Sequence, residues 1–251
     1  MFVLGLSCMG SLHAQTSGGA KVPDLSGDWQ RDSGWQSISP ADPAANLRGK
    51  EPDIPYQPWA LEKTMKEVPP TGPFARPDIT TDPYIHYCEP LGIIRVYLYP
   101  GRTKFVQTPD NVYVLHEVSE TFRVVRMNSK HPDDPDPQYW GDSIGRYENG
   151  DTLVIDTVGF NDRSWLDQQG KPHTDKLHVI ERYKRLDKNT IQLDFTIDDP
   201  GAYTKPFEGH KKLTQTKIPF MQNPWVCSTR ELQDHEDKLS APASPDKVAG
   251  K

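Results

Sequence analysis

The chain has 251 residues, which fits one or two domains of ordinary size. Its formal net charge is −6 and no run of lysine and arginine stands out, so the composition argues against a nucleic-acid partner. Proline occurs 24 times, which favours turns and extended segments over long helices. Beyond the N-terminal segment, no apolar run approaches the roughly 18 residues of a membrane-spanning helix, so we predict no integral membrane span.

The first residues, MFVLGLSCMGSLHA, are apolar and end in small side chains. This pattern is typical of a secretory signal peptide cleaved after Ala14. The alternative is the apolar N-terminus of a cytosolic protein. We therefore predict a signal peptide over residues 1–14, a single folded domain over 15–232, a disordered polar tail over 233–251, and a periplasmic or secreted location.

Strand-like segments dominate the chain from residue 92 onward. They are rich in β-branched and aromatic residues and are separated by short turns, whereas the preceding region is irregular and rich in proline. In chain order the predicted elements are a strand at 24–32, a helix at 56–68, and strands at 92–99, 103–108, 111–118, 121–127, 142–148, 151–158, 176–186, 190–198, 211–219 and 224–232.

The spacing of these strands indicates a sheet whose neighbours in sequence are neighbours in space. Asn149-Gly150, between two of them, is the strongest short signal for a hairpin turn. We therefore predict an all-β fold, an antiparallel up-and-down barrel of about eight to ten strands, with an irregular proline-rich N-terminal arm and one short helix.

The first and last predicted strands carry the elements of a known barrel motif. Gly27-Asp28-Trp29 lies on the first strand and Arg230 on the last. This pair resembles the lipocalin arrangement, in which a first-strand tryptophan packs under an arginine of the final strand and closes the barrel floor. The resemblance implies a lipocalin-like barrel and a cation–π contact between Trp29 and Arg230.

A broader resemblance covers most of residues 24–208. The segments that carry it are DLSGDW, CEPLGIIR, WGDSIGRYENGDTLVIDTVGFNDRSWLDQQGKPHTDKLHVIERYKR and IDDPGAYTKPF. Together they resemble a family of secreted bacterial proteins of poorly defined activity. This resemblance implies a secreted β-barrel module, and it carries no catalytic assignment.

The connection between the strands at 151–158 and 176–186 is far longer than an ordinary hairpin loop. Long connections without secondary structure are usually functional or disordered. Trp165 and Leu166 within it favour packing over disorder. We predict a lid over the barrel mouth, and the alternative is an Ω-loop that seals the barrel bottom.

Five ionisable residues in and beside this connection are the candidate catalytic groups. Asp156, His178 and Arg182 come from the flanking strands, and Asp162 and His173 come from the loop. Both faces of the strands mix apolar and ionisable side chains, as in a barrel around a ligand cavity. One of the histidines would be a general base oriented by one of the aspartates, and the arginine would stabilise an anionic intermediate. The alternative is a ladder of ion pairs on the outer face.

Aromatic residues near these groups are candidate substrate contacts. Tyr84, His86 and Tyr87 cluster before the strands, Trp165 lies in the long loop and Tyr203 lies in a later turn. Tyrosine offers both a ring and a hydroxyl, which suits an aromatic or oxygenated substrate. The alternative is that these side chains pack in the core.

Two cysteines remain after removal of the predicted signal peptide, Cys88 and Cys227. In an oxidising compartment we expect a disulfide between them, closing a loop of about 140 residues and stabilising the fold by roughly 4–5 kcal/mol. Two buried free thiols are the alternative. The sequence has no CxxC, HxH, HExxH or EF-hand pattern and no glycine-rich phosphate loop, so we predict neither a metal nor a cofactor.

Three function classes follow from these features. The first is a cofactor-independent acid/base enzyme, a lyase, isomerase or hydratase, acting on a small hydrophobic or aromatic compound in the barrel cavity. The second is a periplasmic lipocalin-like binding protein without catalysis, and the third is a structural domain with a filled barrel. His116, Glu117 and Glu120 are further ionisable residues that face either the cavity or water. The oligomeric state stays open, with a homo-oligomer among the alternatives.

Overall fold

The structure is a computed structural model that describes residues 22–31, 54–67, 82–118 and 121–221. The side chains of residues 85 and 86 are not described. The predicted signal peptide, the predicted strand at 224–232 and the polar tail all lie outside the described residues.

Nine strands form a closed barrel in which each strand pairs with its neighbours in sequence and the first pairs with the last. This confirms the predicted all-β barrel. Eight of the nine pairings are antiparallel, but β4 and β5 are parallel, joined by the segment 128–141. The strands are β1 (Gly27–Arg31), β2 (Arg102–Gln107), β3 (Asn111–His116), β4 (Thr121–Met127), β5 (Asp142–Glu148), β6 (Thr152–Val158), β7 (His178–Arg185), β8 (Thr190–Asp198) and β9 (Phe207–Gln215).

Three helices accompany the barrel in the described ranges: α1 (Pro58–Glu67), α2 (Pro83–His86) and α3 (Arg95–Leu98). The first confirms the predicted helix. The third shows that the predicted strand at 92–99 is wrong. All residues of α3 are buried, and a short apolar run that is buried on every side cannot be distinguished from a strand by its periodicity. None of the described helices is long and apolar enough to cross a membrane.

Local turn chemistry explains much of the strand order. Asn149 and Gly150 both have positive φ, 53° and 72°, as expected for the tight turn that joins β5 to β6. β9 begins four residues earlier than the predicted strand at 211–219. It is pinned there by its register with β8, in which Ile197 pairs with Phe207.

The core lies inside the barrel, where alternate residues of each strand are buried. The inward side chains of β6 and β7 include Leu153, Ile155, Val179 and Tyr183, all fully buried. Burying these apolar surfaces contributes roughly 25 cal/mol per Å² to folding. The opposite residues of the same strands face outward, so strand alternation divides the candidate residues into two separate groups.

Trp29 lies on the inner face of β1 and is fully buried. Its indole nitrogen donates a hydrogen bond to the carbonyl of Leu25 over 2.8 Å. The cation over its ring is Arg185 of β7, with 5.3 Å between the guanidinium carbon and the ring centre. Arg230, the predicted partner, lies outside the described residues.

One end of the barrel is covered by several segments. At this end, hereafter the covered end, β6 finishes and β7 begins, and β2 begins next to the end of β3. The connection 159–177, hereafter the covering loop, lies here with α3. A side-chain carbon placed on Gly92 would lie only 2.6 Å from the hydroxyl of Ser164, so the loop and the segment before α3 are in close contact.

Candidate functional site

Three of the predicted catalytic residues lie on the outside of the barrel. Asp156, His178 and Arg182 alternate along β6 and β7 with the buried inward residues Ile155 and Glu181. They are partly exposed. The prediction that they line an inner cavity and converge with His173 is therefore wrong, and the ion-pair ladder on the outer face describes them better.

On this outer face Asp156 and His178 are in hydrogen-bonding contact, with 2.8 Å between Oδ1 and Nε2. His131, from the segment that joins β4 to β5, lies between two carboxylates: its Nδ1 is 2.6 Å from Asp142 and its Nε2 is 3.2 Å from Asp156. Arg126 completes the row with two hydrogen bonds to Asp142, at 2.7 and 2.9 Å. Partial exposure makes such pairs worth about 1 kcal/mol or less each.

Arg182 lies apart from that row, in a shallow outer groove of about 450 Å³ across β7, β8 and β9. Asp194 and His210 line the same groove and pair in register with Arg182 across the three strands. The groove mixes acidic and basic side chains and is open to water, so it has no strong preference for one ligand charge.

The covering loop is well packed, and it buries His173. This histidine is only 4% exposed, and its Nε2 lies 2.9 Å from the hydroxyl of Ser164. Its Nδ1 faces the carbonyl of Thr174 at 3.3 Å, which fits a proton on Nδ1 and an acceptor at Nε2. Burial lowers the pKa of His173, so the ring is uncharged near neutral pH. Asp162, predicted to orient a histidine, is exposed.

A buried arginine ties the covering loop to α2 and α3. Arg95 makes two hydrogen bonds with Asp82, at 2.8 and 2.6 Å, and both side chains are almost fully buried. Its guanidinium carbon lies 5.7 Å from the ring centre of Tyr84 and 5.6 Å from that of Trp165. Tyr84 and Trp165 therefore take part in packing around an ion pair, as in the core alternative.

Two of the remaining predicted contact residues, Tyr203 and Tyr87, differ in their exposure. Tyr203 is buried under the covering loop and donates a hydrogen bond to the carbonyl of Pro172 over 2.7 Å, while Tyr87 is 62% exposed. His86 lies on α2, and its side chain is not described. The disulfide stays a prediction, because Cys227, the predicted partner of Cys88, lies outside the described residues.

Inside the barrel, beneath the covered end, lies a set of buried polar side chains, hereafter the inner polar cluster: Tyr97, His116, Arg123, Glu181 and Tyr183. Both oxygens of Glu181 bind Arg123, at 2.5 and 3.0 Å. The hydroxyl of Tyr183 donates to Glu181 over 2.6 Å and lies 2.6 Å from the hydroxyl of Tyr97, which also accepts from Arg123 over 3.3 Å. The carboxylate of Glu181, the guanidinium of Arg123 and the two tyrosine hydroxyls thus form one connected hydrogen-bond network.

His116 lies at the edge of this network, between two aromatic rings. Its ring stacks on Trp140 with 5.7 Å between centres and an interplanar angle of 14°, and it meets Tyr97 edge-on at 5.0 Å. Its Nδ1 lies 3.3 Å from the hydroxyl of Thr103. Its Nε2 is buried and has no hydrogen-bond partner among the described residues. Buried polar atoms are nearly always paired, so this nitrogen needs an explanation.

Burial keeps His116 and both phenols uncharged. Burial, assisted by the positive charge of the nearby Arg123 guanidinium, lowers the pKa of His116 to about 3. Burial, assisted by the negative charge of Glu181, raises the pKa of Tyr97 and Tyr183 well above their ordinary value. None of these groups exchanges a proton near pH 7, which suits hydrogen bonding better than proton transfer.

No family model matches this chain, and no curated protein matches it. Among the described residues, no group of three or more histidine, cysteine, aspartate or glutamate side chains is arranged to hold a metal ion.

Sequence reasoning missed Arg123, Tyr97 and Trp140. The sequence did contain a signal for Arg123. It lies two residues before Val125 and four before Met127, so all three side chains share the apolar face of β4. Glu181 shares the apolar face of β7 in the same way. A single charge of each sign on an inward face indicates a buried ion pair, because an unpaired buried charge is very costly.

Proposed function

We propose that the protein binds a small hydrophobic or aromatic molecule inside its barrel. The observation that carries this proposal is the buried, unpartnered Nε2 of His116 beside a neutral polar cluster. Ligand sites in proteins are mostly apolar, with a few placed polar groups that fix the orientation of the ligand. Barrels of about eight strands or more can enclose a small ligand.

The proposal places the protein outside the cytoplasm. The apolar N-terminus and the resemblance to secreted bacterial proteins support a periplasmic or secreted location, although the first residues lie outside the described ranges. A lipocalin-like binding protein fits this location, because such proteins hold apolar compounds in water. The Trp29–Arg185 contact supports the comparison, because it is a cation–π contact on the first-strand tryptophan.

Ligand retention tests this proposal directly. Purified protein is incubated with a small-molecule extract of its native host, separated by gel filtration and denatured, and released compounds are identified by mass spectrometry. We expect one enriched low-mass apolar or aromatic compound in the folded sample. The control is the same protein unfolded in urea before incubation. Equal amounts of every compound in the two samples, with no rise in melting temperature on adding simple aromatics, would contradict the proposal.

Acid–base catalysis is the second candidate, favoured by the Ser164–His173 contact of 2.9 Å. An uncharged histidine that accepts a proton from a serine hydroxyl is the pairing that activates a nucleophile or a water molecule. Thr174, which holds His173 through its carbonyl, is itself fixed by two hydrogen bonds of 2.6 Å to Asp199. A lyase, isomerase or hydratase without a cofactor would use this pair and not the outer residues.

Turnover separates the two candidates. The compound recovered from the extract is incubated with wild-type protein, with His173→Gln and with Ser164→Ala, and the products are followed by mass spectrometry. An enzyme at this pair is expected to convert the compound in the wild type, with a loss of at least 100-fold in both variants. His178→Gln on the outer face is the matched control. Recovery of the unchanged compound from the wild type would contradict the enzyme candidate and leave the binding proposal as the remaining one.

A further inference from the structure

The polar atoms of the inner polar cluster are not equally satisfied. Both carboxylate oxygens of Glu181, both terminal nitrogens of Arg123 and both phenol hydroxyls have partners. The two atoms without a partner among the described residues are Nε2 of His116 and Nε of Arg123. The second is ordinary in this protein, because the Nε atoms of Arg95, Arg102 and Arg126 are in the same state. The histidine nitrogen is therefore the atom that a ligand would address.

The charges of the cluster exclude a charged ligand. The guanidinium of Arg123 already binds the carboxylate of Glu181 through both terminal nitrogens, so the pair is neutral as a whole. His116 is uncharged because it is buried. An anionic ligand would lose its hydration and find no free cation, and a cationic ligand would find no free carboxylate. A neutral ligand avoids both costs.

The hydrogen bonds of His116 select a hydroxyl group. Thr103 can either donate to Nδ1 or accept from it, so Nε2 is an acceptor in one tautomer and a donor in the other. A hydroxyl can complement Nε2 in both cases, since it donates and accepts. An ether or a hydrocarbon has no hydrogen to donate, so neither can complement Nε2 in the tautomer in which this nitrogen is an acceptor.

The ring of His116 lies between aromatic side chains. Trp140 stacks on it and Tyr97 lies edge-on to it. Aromatic rings gain from edge-on and offset contacts beyond the area that they bury. An aromatic ligand would extend this arrangement.

We propose that the barrel takes an uncharged hydroxylated aromatic compound, a phenol in its simplest form, and that its hydroxyl hydrogen-bonds to Nε2 of His116. This inference rests on the proposed function, because it names the ligand class for the same barrel interior. It also excludes anionic ligands at this cluster.

Calorimetry with four probes tests the assignment: phenol, anisole, toluene and benzoate at neutral pH. We expect wild-type protein to bind phenol about fivefold to tenfold more tightly than toluene, as one net hydrogen bond allows, and to show no binding of benzoate. Anisole reports the tautomer, because its ether oxygen can bind Nε2 only where that nitrogen donates. In His116→Phe, the affinity for phenol should fall to that for toluene, while the affinity for toluene stays the same. Exposed His210→Phe on β9 is the matched control and should keep the phenol preference.

A double variant guards against a folding artefact. Thr103→Val with His116→Phe removes both members of the hydrogen-bonded pair, so it leaves neither a threonine hydroxyl nor a ring nitrogen unpaired. Its circular dichroism and melting temperature should match or exceed those of the wild type, and its phenol preference should be lost. Equal wild-type binding of phenol and toluene, or an intact phenol preference in the double variant, overturns the assignment and leaves the binding proposal standing. Failure of all four probes to bind the wild type also overturns the assignment, and it overturns the binding proposal as well when the folded protein retains no compound from the extract.

Discussion

Replacing Glu181 by alanine is expected to lower the free energy of unfolding by about 3–5 kcal/mol. The substitution leaves the guanidinium of Arg123 buried without its carboxylate, and both side chains are at most 2% exposed. Removing one partner of a buried ion pair is costly because the other charge cannot regain water. Tyr183 loses its acceptor in the same variant, which adds to the effect. Urea unfolding followed by fluorescence measures the change.

Two further variants distinguish the effect of the broken ion pair on stability from the effect of the lost side-chain volume. Arg123→Met combined with Glu181→Leu replaces both charges by apolar side chains of similar size, and it should recover most of the lost stability. Glu148→Ala is the exposed control, since Glu148 pairs with Arg146 near the surface, and it should change stability by about 1 kcal/mol or less. A Glu181→Ala variant as stable as the Glu148→Ala variant would contradict the buried network.

The wild type is expected to lose stability on acidification in a way that His116→Phe does not. The pKa of His116 is lowered by burial to about 3 in the folded protein, against 6.5 for an ordinary histidine. The unfolded chain therefore binds the proton more tightly. The stability that the uncharged ring confers is complete above pH 6.5 and is lost progressively as the pH falls toward 3.

The size of this effect follows from linkage, at about 1.4 kcal/mol for each pH unit of the window. Across the whole window the difference between wild type and His116→Phe should change by on the order of 4 kcal/mol. Urea unfolding at several pH values between 7 and 3 measures it. The other histidines, including buried His173, are present in both proteins and cancel. Parallel curves for the two proteins would contradict a buried, uncharged His116, and His210→Phe should follow the wild type.

The barrel itself could be predicted from the sequence because its signals are local. β-branched and aromatic residues alternate along β2 to β8, and tight turns such as Asn149-Gly150 join successive strands. Each strand then pairs with the next one along the chain, so the order of the strands in the sequence predicts most of their order in the sheet. The departure at β4 and β5 needed the long segment 128–141, because the chain must return along the length of the strands before β5 can pair parallel to β4. No local rule prescribes that return.

The segment 92–99 shows where local signals fail. Its β-branched and aromatic residues predicted a strand, and the structure has α3 at the covered end. Gly92 has a φ of +83° and lies against Ser164, so the turn into this helix depends on the covering loop. A contact between residues so far apart in sequence overrides a propensity that is worth only tenths of a kcal/mol per residue.

Alternation along a strand shows which side chains share a face, but it does not show which of the two faces points into the barrel. The location of the candidate site depended on that second point. The sequence by itself determined that His178 and Arg182 share one face of β7 and that Glu181 and Tyr183 share the other. Because both faces carry apolar and ionisable residues, only closure of the barrel decided that the second face is the interior. Arg123 reaches Glu181 across 58 residues of sequence, and α3 brings Tyr97 to the same place. Long-range contacts of this kind follow from the tertiary fold, because no periodicity within a strand encodes its partner across the barrel.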